Sequence, residues 1–519
     1  MDAAAVPHRA TRWGILVTLL VSCLVARVSA QTELWRYRAP QDIKGLTLTP
    51  FGTVLVVTDT ALLALDPETG SVAWSYRIRP HLTGRVTVIG LTGIALIEGA
   101  AIDLANGQER WTVRDLPLKK WRTRSWASGT PLMLFLGETE QNPLVLVGTD
   151  LASGRVAWRS DSLLATLSPR RRGAVNLTLG EAPLADSDTT LIVYLDNGPG
   201  YGDGGPVRLH AGTGQTLWRA DSTWPRLAPG GTELGYPPTL LTDGRAIVPY
   251  LLRLLAFDAA TGRILWRLDK DLPSKVAQME MTPRGLLIRG STAGGFSGDP
   301  FLDLLDPASG ASRWPTSVKL DGQSPFLVRG DSVLVPERGK LLTIALADGG
   351  VRTAASAKFQ GGEQAMVAEL RPEGLLLRSS QNLALISDSG VRYNNYYPAP
   401  AAFGLFSRLA VVALSTLADV GSQYLQEHAY QPAAPGMDIR PAFARYRASQ
   451  SATDFTYVFT NAPDSAGHTG NSLVRIRKAD GRLAGRVWVG ERRPQYELDR
   501  LTHTVFLKEG DNEISAHRF

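Results

Sequence analysis

Short apolar runs, each bounded by turn residues, recur along the chain. The best preserved unit reads Leu62-Leu63-Ala64-Leu65, then Asp66-Pro67-Glu68-Thr69-Gly70, then Trp74. An apolar strand, a tight turn and a returning strand predict a β-hairpin. The Asp side chain accepts hydrogen bonds from backbone amides two residues on, which starts the turn. Gly supplies the positive φ that closes it. Trp then falls four residues past the Gly, so it faces the same side in every copy.

Six copies keep this spacing. Five of them are Asp66/Gly70/Trp74, Asp103/Gly107/Trp111, Asp150/Gly154/Trp158, Asp258/Gly262/Trp266 and Asp306/Gly310/Trp314. The sixth, fourth in chain order, has His210 in place of Asp, with Gly214 and Trp218; the substitution reads as one the turn tolerates rather than as a ligand. Successive glycines lie 37, 47, 60, 48 and 48 residues apart, so the longest interval needs an insertion. Weaker copies follow. Asp348-Gly349 and Asp388-Ser389-Gly390 keep the turn without the Trp, and Asp480-Gly481 is followed late by Trp488. The tail from Glu513 to Phe519 reads as a strand that stops before its turn, and Trp35 sits on a strand that lacks one.

A sheet of this size cannot bury its apolar faces alone, and stacking repeated sheets buries them. A closed ring removes the free edges. The Asp-x-x-Thr/Ser-Gly-x-x-x-Trp pattern resembles the repeat of pyrroloquinoline-quinone (PQQ)-like β-propellers. That superfamily includes quinoprotein alcohol and glucose dehydrogenases and the non-catalytic lipoprotein of the outer-membrane β-barrel assembly machinery. The resemblance implies an all-β chain: a single propeller over residues 31–519, of about eight four-stranded blades. The incomplete end strands imply a ring closed by pairing the N-terminal strand with the C-terminal blade.

Composition supports a turn-rich β protein: Gly (51) and Pro (32) are abundant, and the chain is 44% hydrophobic and 20% charged. A net charge of +6 over 519 residues gives no electrostatic case for nucleic acid. The two short basic clusters, Lys119 to Arg124 and Arg170 to Arg172, read as solvated loops. Asn197 to Pro206 is glycine-rich but lacks the Lys-Ser/Thr of a phosphate loop, so it reads as a connecting loop.

Residues 1–30 read as an export signal. Arg9 and Arg12 precede an apolar run from Trp13 to Ala26, and Val28-Ser29-Ala30 offers a cleavage site. Cys23 is the only cysteine, so the folded part has no disulfide, no Cys metal site and no Cys nucleophile. Leu20-Val21-Ser22-Cys23 resembles a lipobox, which makes Cys23 a lipidation candidate. Two locations stay open: periplasmic or exported, or an outer-membrane lipoprotein.

The segment 396–453 interrupts the period. Leu405, Leu409, Val412, Leu417, Val420 and Tyr424 recur at helical spacing within 403–426. This helix either packs on the ring or offers an apolar surface to a membrane or partner.

Alcohol-type quinoproteins combine PQQ, Ca²⁺ or a lanthanide held by carboxylate and amide ligands, and a disulfide of adjacent cysteines. This chain has no such cysteine pair, and no metal-ligand cluster or catalytic motif aligns. The repeated Asp and Trp read as turn and packing residues. The favoured reading is a monomeric, non-catalytic, cofactor-free scaffold that binds a protein or ligand in the bacterial cell envelope. The alternative is a periplasmic dehydrogenase oxidising an alcohol or sugar with PQQ and Ca²⁺.

Overall fold

A computed structural model describes residues 32–78, 86–90, 92–126, 130–141, 145–161, 184–187, 189–195, 205–220, 240–250, 253–268, 275–292, 298–322, 324–337, 339–387, 389–399, 445, 448, 454–461, 463, 467, 469–490 and 494–519. The export segment with Cys23, the cluster Arg170 to Arg172 and the expected helix over 403–426 lie outside them.

The chain is an all-β propeller with ten blades where the repeat predicted about eight. Blades 1 to 9 span residues 43–77, 86–112, 120–160, 184–219, 240–268, 275–319, 327–356, 367–396 and 455–488. Blade 10 combines 496–518 with the N-terminal strand Thr32–Arg38. Blade 9 has three strands among the described residues and the others have four. The count exceeds eight because each weak copy of the repeat builds a blade of its own and is not an insertion within a neighbour.

Each blade is an antiparallel meander, and in blades 1, 2, 3, 5 and 6 the Asp–Gly turn leads from the third strand into the fourth. The central two strands are buried on both faces, as in Val54–Thr58 and Ala61–Leu65. The fourth strand is the most exposed, as in Val72–Arg77. Ten apolar clusters form, one in each seam between neighbouring blades, including the seam between blades 10 and 1. Blades contribute to the clusters on either side, so burial is shared by nearest neighbours around the ring.

The ring closes as the incomplete end strands predicted. Thr32–Arg38 pairs antiparallel with Glu513–Arg518, and Trp35 stands opposite Ala516. That is the geometry of Trp74 opposite Ala64 in blade 1. The chain ends therefore meet where a turn would otherwise lie.

The cluster from Lys119 to Arg124 is not a loop. Lys120–Trp126 is the leading strand of blade 3, paired with Leu132–Glu138. Trp121 is exposed, and the Arg124 guanidinium lies 5.5 Å from its ring centroid. A leading strand is paired on one edge only, which lets polar residues alternate along it.

Among the described residues, no helix is long and apolar enough to cross a membrane.

Candidate functional site

The third-to-fourth-strand turns and the first-to-second-strand hairpins share one face of the ring, because successive strands run in opposite directions. On this face the repeated residues do three jobs. Asp66 Oδ1 accepts from the Glu68 and Thr69 amides at 2.9 and 2.8 Å. Asp103, Asp150, Asp258 and Asp306 accept in the same way from residues two or three positions on. The Thr261 amide, foremost, holds the Asp258 carboxyl below the usual range, and the Arg313 side chain does the same for Asp306. His210 takes the Asp role in blade 4: its Nδ1 accepts the Gly212 amide at 3.2 Å.

Gly70 has φ +70, and a Cβ there would lie 2.5 Å from the Trp35 ring. The turn glycine is thus a seat for the indole of the preceding blade. Trp74 sits on Gly107, Trp111 on Gly154, Trp158 on Gly214, Trp218 on Gly262, Trp266 on Gly310 and Trp314 on Gly349. Each indole also donates its N–H to a carbonyl in the same turn: Trp35 to Pro67 (2.9 Å), Trp74 to Leu104 (3.0 Å), Trp111 to Leu151 (2.8 Å) and Trp158 to Ala211 (2.6 Å). Trp218 donates to Ala259, Trp266 to Pro307 and Trp314 to Leu346. Trp, Gly and Asp therefore act as one inter-blade joint. Burying an indole with its N–H satisfied removes about 150–250 Å² from water without an orphaned donor.

Three seams depart from the rule. Tyr393 replaces Trp between blades 8 and 9, lying against Gly481 and donating to the Lys478 carbonyl at 2.5 Å. Between blades 9 and 10, the C-terminal Phe519 approaches Gly485 and packs on Tyr457 with ring centroids 5.2 Å apart. Trp488 lies beside Gly470 in its own blade, with the Arg486 guanidinium 5.0 Å from its ring. Between blades 7 and 8 the position four past Gly349 is Thr353, which is exposed, and nothing stands within 4 Å of a Cβ built on Gly390.

The sector around blades 7 to 9 also carries the densest ionic network on this face. Arg371, with its side chain 7% exposed, reaches Glu369 (2.8 Å), Asp454 (3.1 Å) and Glu373 (3.4 Å). Lys478 of blade 9 pairs with Glu369 of blade 8 at 2.6 Å. Beside it lies a pocket of about 420 Å³ lined by Arg329, Leu370, Arg371, Glu373, Ser387 and Arg392, among others. Neither the tyrosine joint nor this pocket was singled out in the sequence; the Gly390 turn without its Trp was the available signal.

From the expected insert 396–453, Arg445 pairs with the buried Asp499 carboxylate of blade 10 and lies against Gly52 of blade 1. Among the described residues no group of three or more His, Cys, Asp or Glu side chains is placed to hold a metal.

The family described as "Outer membrane protein assembly factor BamB" matches residues 22–114, 142–327 and 203–391, more than half of the chain. The chain belongs to this family of PQQ-like propellers. No curated protein matches the sequence significantly. Among solved structures, BamB from Moraxella catarrhalis is similar at 18% identity and TM-score 0.31, over 70% of this chain and 98% of that one. The computationally designed Ika8 protein is 13% identical with TM-score 0.33, over 67% and 96%. Quinohemoprotein alcohol dehydrogenase from Comamonas testosteroni is 14% identical with TM-score 0.33, over 95% and 77%.

Proposed function

We propose that this propeller is a non-catalytic scaffold of the bacterial cell envelope that presents its turn-bearing face to a protein engaged in outer-membrane assembly. Membership of the BamB family carries this reading. The use of the repeated side chains supports it: the indoles are seated on turn glycines and the aspartates cap turns, so both are committed to holding the ring together. What differs between blades is the chemistry at seam mouths and hairpins, and loops on a rigid scaffold are where binding residues concentrate.

Affinity capture of the full chain from bacterial envelope extract tests the reading. An outer-membrane assembly protein should co-purify. Capture of nothing from the envelope would contradict it, as would turnover of an alcohol or sugar, read with an artificial electron acceptor, by the chain supplied with PQQ and Ca²⁺. Export and lipidation form part of the proposal. Palmitate incorporation that is lost in Cys23→Ser would place the protein on a membrane, and incorporation unchanged by that substitution would remove the lipid anchor at Cys23.

A further inference from the structure

We infer that a buried water molecule bridges Arg289 of blade 6 and Glu337 of blade 7, and that this bridge ties the two blades together on the face opposite the Asp–Gly turns. The inference goes beyond the scaffold reading and does not depend on it. Arg289 lies near the end of Gly285–Ser291, the second strand of blade 6, and Glu337 ends Ser332–Glu337, the second strand of blade 7. Second strands run away from the turn-bearing face, so both residues stand toward the far side of the ring. The indole joint of this seam, Trp314 on Gly349, lies at the other end.

Both side chains are removed from solvent: Arg289 is 8% exposed and Glu337 is 4% exposed. Each feels the charge of the other. Burial takes the Arg289 pKa down to about 10, opposed by Glu337, and burial pushes the Glu337 carboxyl up, opposed in part by Arg289. Yet the two do not meet. Arg289 makes no hydrogen bond or ion pair among the described residues, and its Nε is sealed from solvent. Glu337 Oε2 accepts the Asp321 amide at 2.6 Å, whereas Oε1, equally sealed, has no protein partner. Burying such groups unpaired is costly, and folded proteins satisfy nearly all of them with protein or ordered water.

The link between the blades supplies a third wall. It is pinned at both ends. Glu337 takes the Asp321 and Gly322 amides, and the Gln278 side chain takes the Phe326 amide at 3.0 Å and donates to the Phe326 carbonyl at 2.9 Å. Gln278 is the register partner of Arg289. Ser324 lies between these two anchors, is 2% exposed, and its Oγ has no protein partner. One seam therefore holds a buried N–H donor, a buried carboxylate acceptor and a buried hydroxyl that can serve as either.

This set fixes the occupant. A buried water donates and accepts, and makes about three hydrogen bonds. A cation would be repelled by the Arg289 guanidinium and an anion by the Glu337 carboxylate. A neutral molecule that both donates and accepts satisfies all three groups.

A crystal structure of the full chain, at a resolution that shows ordered water, tests the inference. A water within about 3.2 Å of both Arg289 Nε and Glu337 Oε1 is expected. Direct contact between the guanidinium and the carboxylate, or no density between them, would overturn it. Urea denaturation supplies a second readout. Arg289→Met and Glu337→Gln should each lower the unfolding midpoint, and the double variant should lose less than the two losses added together, because either change alone leaves its partner unpaired. Strictly additive losses would show that the two groups are not joined and would also overturn the bridge.

Discussion

The Tyr393 hydroxyl donates to the Lys478 carbonyl across the seam between blades 8 and 9, where other blades use an indole N–H. The joint thus tolerates a change of ring when the donor still reaches the turn. Tyr393→Phe keeps the ring and loses the donor, and should destabilise the protein by about 1–3 kcal/mol because the carbonyl is left unpaired. Tyr393→Ala also empties the seam and should cost about 3–5 kcal/mol. Urea denaturation of both variants measures the difference; a Tyr393→Phe chain as stable as the parent would show that the hydrogen bond is immaterial.

Gly70 and Gly330 separate two demands on glycine. Both have positive φ, but only Gly70 has a ring against it. Gly330→Ala should cost about 1–2 kcal/mol for the backbone conformation alone. Gly70→Ala adds about 1–3 kcal/mol for the clash with Trp35. The larger loss at Gly70 should shrink in a Trp35→Ala background, and double-mutant analysis by thermal or urea denaturation checks this coupling.

Glu497 makes stability depend on pH. It lies in Tyr496–Asp499, the leading strand of blade 10, and burial, opposed by a hydrogen bond from the Leu48 amide, pushes its pKa up from 4.5 to about 7. The unfolded chain ionises it near the ordinary value. The stability held by the neutral form is therefore fully present below about pH 4.5 and is lost as pH rises through about 7. Glu497→Gln removes the ionisation. It should match the parent at pH 4.5 and exceed it at pH 8 by up to about 3 kcal/mol. An equal difference at both pH values in urea titrations would contradict the buried carboxyl.

The fold was legible because the joint needs three side chains at fixed spacing, and six copies keep all three. Ring closure was legible because Glu513 to Phe519 and the Trp35 strand each lack what the other supplies. The blade number was not. Tyr393 stands one position before the expected Trp site, and Phe519 reaches Gly485 from the chain end, so neither carries the repeat's spacing. The strand over Lys120–Trp126 was hidden by its charge, although Lys120, Arg122 and Arg124 fall at alternate positions. Opposite five of the six repeat Trp residues stand Ala64, Ala101, Gly148, Arg208 and Ala256, small in all but one case. That requirement, two positions before the turn Asp or its His210 substitute, was present in the sequence and not used. The pocket at blades 7 and 8 was invisible for a different reason: it depends on Arg329, Arg371 and Arg392 from three separate strands meeting in space.

Ring closure by the chain ends is tested most directly by joining them. Arg38 and Glu513 are register partners on Thr32–Arg38 and Glu513–Arg518. In a chain carrying Cys23→Ser, the double variant Arg38→Cys/Glu513→Cys has no other thiol. Mild oxidation should produce an intramolecular disulfide in nearly every folded monomer, read as faster migration on a non-reducing gel and as a higher midpoint of thermal unfolding. Thiols that stay reduced, or that cross-link only between molecules, would show that the two ends do not meet in one ring.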